Sequence, residues 1–329
     1  MVQFNVEGAH FQPCMDSFLG AALGVLNALG EDLSYEELWG LSGMAFRTQV
    51  HRELAPAGLF PRQWDETYGA VMQRLGYACS AGLRDHFYTQ DDIHYLRRGW
   101  MGNLERHLGQ GLPAIAYGLH GPAFGIISGF DDETENFRVS TLLDGVKDGP
   151  VHVNDLGLTN PPCVFVLIPT GPLHGYDRQA ATRAAIAHGL LHHAQQERDE
   201  HGQSLAIPPD LATGMDAFEA WGRALNERTV KLSWAPALYA GYYLEARTHG
   251  AGFLRKVAQE YFPQHAKHLE LAAESCMQQA AKLRELAALF PPQEPHALQD
   301  AQKIVAAIGH LQVIAQAHAA AMTALAEAK

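Results

Sequence analysis

The run SFLGAALGVLNAL, from Ser17 to Leu29, is apolar on nearly every side of a helix, and it narrows the available folds more than any other stretch of this chain. A helix without a polar face cannot lie on a surface, so this one must pass through the core of its domain. Asp16 stands where an N-cap belongs, and Gly30 lies just past the end, where helices stop. Further helices are expected from Ser34 to about Leu41, from Trp64 to about Leu75 and from Asp91 to Leu108. Between the first two of these, LSGMAFRTQVHRELAPAG has the Gly and Pro content of irregular structure.

The hydrophobic period then shortens. LPAIAYGL (Leu112 to Leu119), AFGIISGF (Ala123 to Phe130), NFRVST (Asn136 to Thr141) and CVFVLI (Cys163 to Ile168) are short β-rich runs bounded by Gly, Pro and Asp. Helices first and strands second, without alternation, argue for an α+β domain in which the early helix packs on an antiparallel sheet. From Tyr176 onward the strand signal disappears. Helices are expected over Arg178 to His201, Asp210 to Glu227, Ala237 to Tyr261, Gln264 to Leu289 and Ala297 to Glu327, broken at Pro208-Pro209, Pro236, Pro263 and Pro291-Pro292. The expected organisation is therefore an α+β domain over 1–172 and an all-α helical domain over 173–329.

A net charge of -12, from 24 basic and 36 acidic residues, speaks against a nucleic-acid partner, which requires clustered Lys and Arg. The first twenty residues lack the basic start and apolar stretch of a signal peptide, and no later window is expected to span a membrane. Cys14, Cys79, Cys163 and Cys276 are too scattered for a zinc knuckle or a disulfide framework. These features together give the expectation of a cytoplasmic protein with reduced thiols.

FQPCMDS is the sharpest local feature. It puts Cys14 near the start of the buried helix, where backbone N–H groups and the helix dipole favour a thiolate and an oxyanion. Gln12 supplies an amide that could donate to an oxyanion, and Ser17 lies closer to the first helical turn than Cys14 does, which makes it the alternative nucleophile. A small buried hydrophobe is the plain structural reading of Cys14.

A cysteine before a buried helix ending in Leu29-Gly30, followed by a sheet entered through LPAIAYGLHGPAFGIISGFDDE, resembles the papain-like cysteine peptidase superfamily. The likeness is to its bacteriocin-processing peptidases and its butirosin biosynthesis protein H N-terminal-like members, and it covers roughly residues 1–170. The resemblance implies a nucleophile starting the central helix, a histidine opening the strand that leads to the turn Gly129-Phe130-Asp131-Asp132, and a later Asn or Asp orienting that histidine. Counting back from Gly129 puts Ala123 in the histidine position, with His120 three residues earlier. Counting back from Gly30 reaches Ser17 rather than Cys14. The orienting group falls near Thr141, with Asp144 close by.

Two readings follow from the resemblance. In one, Cys14 as nucleophile and His120 as base serve a papain-like acyltransferase or amide hydrolase. It would act on a small-molecule amine or an acyl-carrier substrate in a biosynthetic setting. In the other, the fold persists without the dyad, in a non-catalytic protein that binds a small molecule or peptide. No cofactor is implied, and a homodimer through the helical part is open. Arg47, in LSGMAFR, is a candidate for a substrate carboxylate or phosphate, or for pairing with a loop acid. His188, His192, His193 and Glu197 have helical spacing that could gather a metal, but HGLLHHAQQERDEH reads as a solvated face, as do His265 and His268, and no metal is expected. Trp221, Tyr239, Tyr242 and Tyr243 read as core aromatics. Glu245 and Arg247, two apart, must each find another partner.

Overall fold

The computed structural model describes residues 3–61, 63–84, 90–147, 149–159, 163–198 and 203–328. The chain is α+β, with an antiparallel sheet in the first half and helices in the second. It divides into two compact units, Met1–Ser34 with Gln63–Tyr176, and Tyr35–Arg62 with Asp177–Lys329. This differs from a single boundary after residue 172, because Tyr35–Arg62 belongs with the later helices.

In the first unit, helix α1 (Ser17–Ala28) is buried from Ser17 to Leu26, as an all-apolar helix requires. The Asp16 carboxylate caps it by accepting the N–H groups of Phe18 at 2.9 Å and Leu19 at 3.2 Å. At the other end Gly30, with φ +90°, closes the helix through bonds from Gly30 N–H to Asn27 O and from Glu31 N–H to Leu26 O, both 3.0 Å. Residues 10–12 run back along the helix, and the Gln12 N–H donates to Gly20 O at 3.2 Å. Two glycines one turn apart make that approach possible. A Cβ at Gly20 would meet Gln12 O at 2.5 Å, and one at Gly24 would overlap His10 O and reach Ile126 Cδ1 at 2.7 Å.

The sheet is antiparallel throughout. Its strands are β1 (Gln3–Asn5), β3 (Tyr77–Arg84), β4 (Ala114–Tyr117), β5 (Phe124–Asp131), β6 (Asn136–Thr141), β7 (Val151–His152) and β8 (Val164–Pro172). Their order is β3-β8-β4-β5-β6-β7, and β1 also pairs with β5. Helices α3 (Trp64–Arg74) and α4 (Gln90–Gly109) complete the unit. Around α1 and β5 lies a cluster of rings. Phe18 stacks on Tyr68 with centroids 3.7 Å apart, and Phe124 meets Phe18, Trp64, Tyr68, Tyr117 and Phe165 at 5.1–5.6 Å. Such edge-to-face pairs each add about 0.5–1.5 kcal/mol beyond the area they bury. A second core gathers Leu104, Leu108, Ile127, Phe130, Phe137, Val166 and Ile168.

The second unit contains α2 (Tyr35–Ser42), β2 (Gln49–His51), α5 (Arg178–His193), β9 (Leu211–Thr213), α6 (Met215–Asn226), α7 (Ala235–Glu260), α8 (Ala266–Leu289) and α9 (Ala301–Glu327). The pairing of β2 with β9 is a small antiparallel ribbon that joins a segment the sequence reads as irregular to one it reads as helical. Helix α5 stops at His193, well short of the expected His201. Helix α9 is long and apolar enough to cross a membrane by length and composition alone, and part of it is buried against its neighbours as in a core helix. Its buried positions, among them Ile304, Ala307, Leu311, Ile314 and Ala321, recur every three or four residues, and it packs on α8 and α6.

Arg247 of α7 is almost completely buried. It donates to Gln279 Oε1 at 2.9 Å, Arg47 O at 2.9 Å, Thr48 Oγ1 at 2.5 Å and Ala45 O, and it lies 5.4 Å from the Tyr243 ring centroid. Three acceptors on the 45–48 stretch and one on α8 thus fix that stretch to α7 and α8. Glu245 instead accepts from Trp39 Nε1 at 3.2 Å, so the two residues face different neighbours as their spacing requires.

The close approach along α1 yields a paired test. Gly24→Ala should destabilise the protein by roughly 1–3 kcal/mol, because the overlap with a backbone carbonyl outweighs the helical preference for alanine. Gly69→Ala, on α3 with no atom within 4 Å of a new Cβ, should instead be neutral or stabilising by up to about 1 kcal/mol. Urea unfolding midpoints of the two variants check both signs.

Candidate functional site

The start of α1 is where the sequence places chemistry, and its amide donors are already committed. Asp16 is the cap, as its position predicts, and its side chain and carbonyl take the N–H groups of Phe18, Leu19 and Gly20. Cys14 lies half-buried in the segment before the cap. Gln12 donates its amide to His10 O at 3.1 Å. Ser17, buried in the first turn, accepts the Phe124 N–H on Oγ at 3.1 Å. This bond joins the helix start to the first residue of β5, directly after Ala123.

His120 stands on the loop between β4 and β5. Its Nε2 faces Gly149 O at 3.2 Å, so that nitrogen carries the proton, and its carbonyl accepts from Lys147 Nζ at 3.0 Å. The exposed imidazole lines a groove of about 650 Å³ with Lys147, Asp155 and Thr159. Thr141, the counted position of the orienting group, pairs in register with Gly125 on β5. Asp144 accepts the Thr141 N–H at 2.8 Å and the Ser140 hydroxyl at 2.5 Å, and Ser140 Oγ in turn accepts the Phe11 N–H at 2.8 Å. The fold therefore gathers Ser17, Ala123-Phe124, Ser140-Thr141 and Asp144 into one connected patch. The bonds that connect them run to backbone N–H groups and a neighbouring hydroxyl.

Beside that patch, β5 and β6 wall a groove of about 700 Å³ lined by Phe4, His10, Phe130, Asp131, Arg138 and Asp144 among others. Arg138 donates to Asn5 Oδ1 at 3.1 Å, and Asp131 accepts the N–H groups of Glu133 and Thr134. Phe4 and Phe130 supply apolar surface, so the groove offers rings together with both signs of charge. Sequence reasoning missed it, because its walls come from residues 4–10 and 130–150, which share no local motif.

In the second unit, Arg47 is buried and lies beside α5 rather than facing solvent. His192 is fully buried, which corrects the reading of this stretch as a solvated face: its Nε2 faces Thr48 O at 2.9 Å and its Nδ1 lies 3.1 Å from Glu197. Burial alone would raise the Glu197 carboxyl, but the hydrogen bond and charge of His192, with Arg47 and His188, hold it well below the usual carboxylate range. Among the described residues no group of three His, Cys, Asp or Glu side chains could hold a metal ion. His268 instead pairs with Glu327 at 2.9 Å. His193 Nδ1 meets His318 Nε2 at 3.3 Å, and the fully buried His318 leaves Nδ1 without a protein partner. Burial, then the charges of Arg247, His193 and His192, push the His318 imidazole well below its ordinary value.

His318 is therefore neutral in the folded protein over a range where the unfolded chain binds a proton. Its contribution to stability is complete above about pH 6.5 and declines as pH falls below that value toward the folded-state pKa, by up to about 1.4 kcal/mol per pH unit. Urea midpoints at pH 7.5 and 5.5 should show this loss, and His318→Leu should reduce the difference between them. In comparisons with known proteins, no family model matches the chain and no curated protein matches its sequence.

Proposed function

We propose that this chain is a non-catalytic binding protein that keeps a papain-like first unit without the catalytic dyad and holds a small molecule or a short peptide. The observation that carries this reading is the Ser17 Oγ to Phe124 N–H bond. At the helix position where a papain-like enzyme needs an activated nucleophile, this chain has a buried hydroxyl occupied as a structural acceptor. At the strand position that needs a general base, Ala123 offers no titratable group. The groove walled by β5 and β6 is the binding site in this reading. A ligand would lay an apolar portion over Phe4 and Phe130 and direct polar groups toward His10, Asp131 and Arg138.

The competing acyl-transfer reading, with Cys14 as nucleophile and His120 as base, predicts a thiol that reacts well below the ordinary cysteine range and depends on the imidazole. Alkylation rates mapped by peptide mass spectrometry from pH 5.5 to 9 separate the two. For a binding protein, Cys14 should label with the pH profile of an ordinary thiol, half-maximal near about pH 8.5, and His120→Ala should leave that profile unchanged. Fast labelling of Cys14 at pH 6 that slows in His120→Ala would overturn the binding reading in favour of acyl transfer. Cys276 serves as an internal reference, because burial pushes its thiol up to about 11.

A further inference from the structure

Two histidines meet at the end of α5. His193, half-buried in the last turn of that helix, brings its Nδ1 to 3.3 Å from Nε2 of His318 on α9. The His318 ring is fully buried, and its other nitrogen, Nδ1, has no partner among the described residues. The surroundings supply no counter-anion. The ionisable side chains that act on His318 are Arg247 from α7 and His193 and His192 from α5, all of them basic, and α6 presents the Phe218 ring at 5.3 Å. On α8, which also packs on α9, Gln279 bonds Arg247 and the Cys276 thiol stays protonated. Asp216 is engaged by Gln195 Nε2 at 3.0 Å, and Glu197 lies 3.1 Å from His192 Nδ1.

A hydrogen bond between two imidazole nitrogens holds one proton. If His193 supplied it, His318 would carry its own proton on Nδ1, where a buried N–H would face no acceptor. That arrangement is rarer and costlier than a bare lone pair. His318 therefore donates through Nε2, and His193 accepts on Nδ1 with its own proton on Nε2. The one nitrogen of His193 still able to take a proton is then the one accepting the bond. A proton arriving there sets two N–H groups against each other. Moving the His318 proton to Nδ1 recreates the buried N–H without an acceptor, so each protonated form of the pair opposes the contact.

The backbone beside this contact depends on tertiary anchors. Helix α5 ends with bonds from Ala194 N–H to Leu190 O at 2.9 Å, from Gln195 N–H to His192 O at 3.1 Å and from Gln196 N–H to Leu191 O at 2.8 Å. That ending favours glycine at the left-handed position, but Gln195 occupies it with φ +58°. A non-glycine residue held there costs on the order of 1 kcal/mol and persists where its surroundings enforce it. The Gln195 side chain is anchored to Asp216 Oδ2 at 3.0 Å and Thr213 O at 3.3 Å. A turn that carries such a cost is the place to open locally when one of its anchors is withdrawn.

We propose that the His193–His318 contact is an acid-released latch: it holds the end of α5 to α9 at neutral pH, and protonation of His193 on Nδ1 releases it and loosens the turn at residues 193–196. The half-buried His193, which solvent reaches, is the group that titrates, while the buried His318 stays neutral. Burial already holds the His193 imidazole below its ordinary value, in the same direction. The closed turn excludes a proton that the open turn binds, so its stability is complete above the ordinary histidine range and falls as pH drops through it. One pH unit below about 6.5, the closed turn has lost at most about tenfold in its equilibrium with the open one. The latch uses none of the groove residues of the first unit, and it opens one turn rather than unfolding the protein.

Nitrogen-15 and amide-exchange NMR on the full chain test the latch. At pH 7.5 His318 and His193 should each carry a single proton, on Nε2. Between pH 7.5 and 5.5 the protection factors of the Ala194, Gln195 and Gln196 amides should fall by roughly three- to tenfold, with those in the middle of α8 unchanged. His193→Phe keeps a ring against His318 but cannot titrate, and its three amides should be equally protected at both pH values. His318→Leu, which removes the partner, should give the same pH independence. A proton on Nδ1 of either histidine at pH 7.5, or constant protection in the wild type, would overturn the proposal. An equal fall in His193→Phe would also overturn it, by assigning the opening to the neighbouring His192 and Glu197.

Discussion

The first unit depends on covering a helix that has no polar side. Burying α1 from Ser17 to Leu26 requires packing on every face, and β5 with its neighbours can cover only part of it. The segment at residues 10–12 covers another part, but only because Gly20 and Gly24 let a backbone come within contact distance of the helix. The same segment hands its Phe11 N–H to Ser140 on β6, which ties the helix, the leading strand and the sheet together. Two residues that look like chemistry at the helix start, Gln12 and Ser17, are used by this arrangement for hydrogen bonding. In a small interior each buried N–H needs an acceptor, and that demand competes directly with keeping a nucleophile available.

The second unit solves a comparable problem with charge. Arg247 sits where an apolar residue would be expected and binds three carbonyl or amide oxygens and a hydroxyl, so the irregular 45–48 segment needs no secondary structure of its own to satisfy its backbone. Tyr243 adds to this by bonding both the N–H and the carbonyl of Gln49 through one hydroxyl, and burial pushes that phenol up to about 12, so it remains a donor at any physiological pH. The bonds from Arg247 and Tyr243 to residues 45–49 span about 200 residues of sequence, and local pattern gives no sign of them.

That distance in sequence explains what could and could not be read in advance. Helix α1 was legible with its cap and its stop, because Asp16 and Gly30 act within one turn of the residues they satisfy. Strands β4, β5, β6 and β8 were legible from β-branched and aromatic runs. Strand β3 was not, since YACSAGLR is built of small residues and lacks a clear alternation. The overextended α5 has a physical reason too: the composition after His193 permits a helix, and only tertiary anchoring holds Gln195 left-handed. At the helix start, spacing from Gly30 and Gly129 pointed to Ser17 and Ala123, which the Ser17 to Phe124 bond brings together. Glu197 was visible only as a helical neighbour of the histidines, whereas it reaches them by a reversal of the chain.

The interleaved order of the two units has a consequence for synthesis. Residues 35–62 belong with helices that begin only at residue 177, and the sheet of the other unit is made in between. At about 5–20 residues per second, this segment waits for several seconds or longer before Arg247 and Gln279 exist to receive it. During that interval the carbonyls of Ala45 and Arg47 and the Arg47 guanidinium have only water or transient partners. The nascent chain thus carries the helix α2, with Leu38, Trp39 and Leu41 not yet covered, and the Arg47 charge ahead of their destination. A folding helper acting on this protein would find its natural target there, in a stretch that the finished molecule buries.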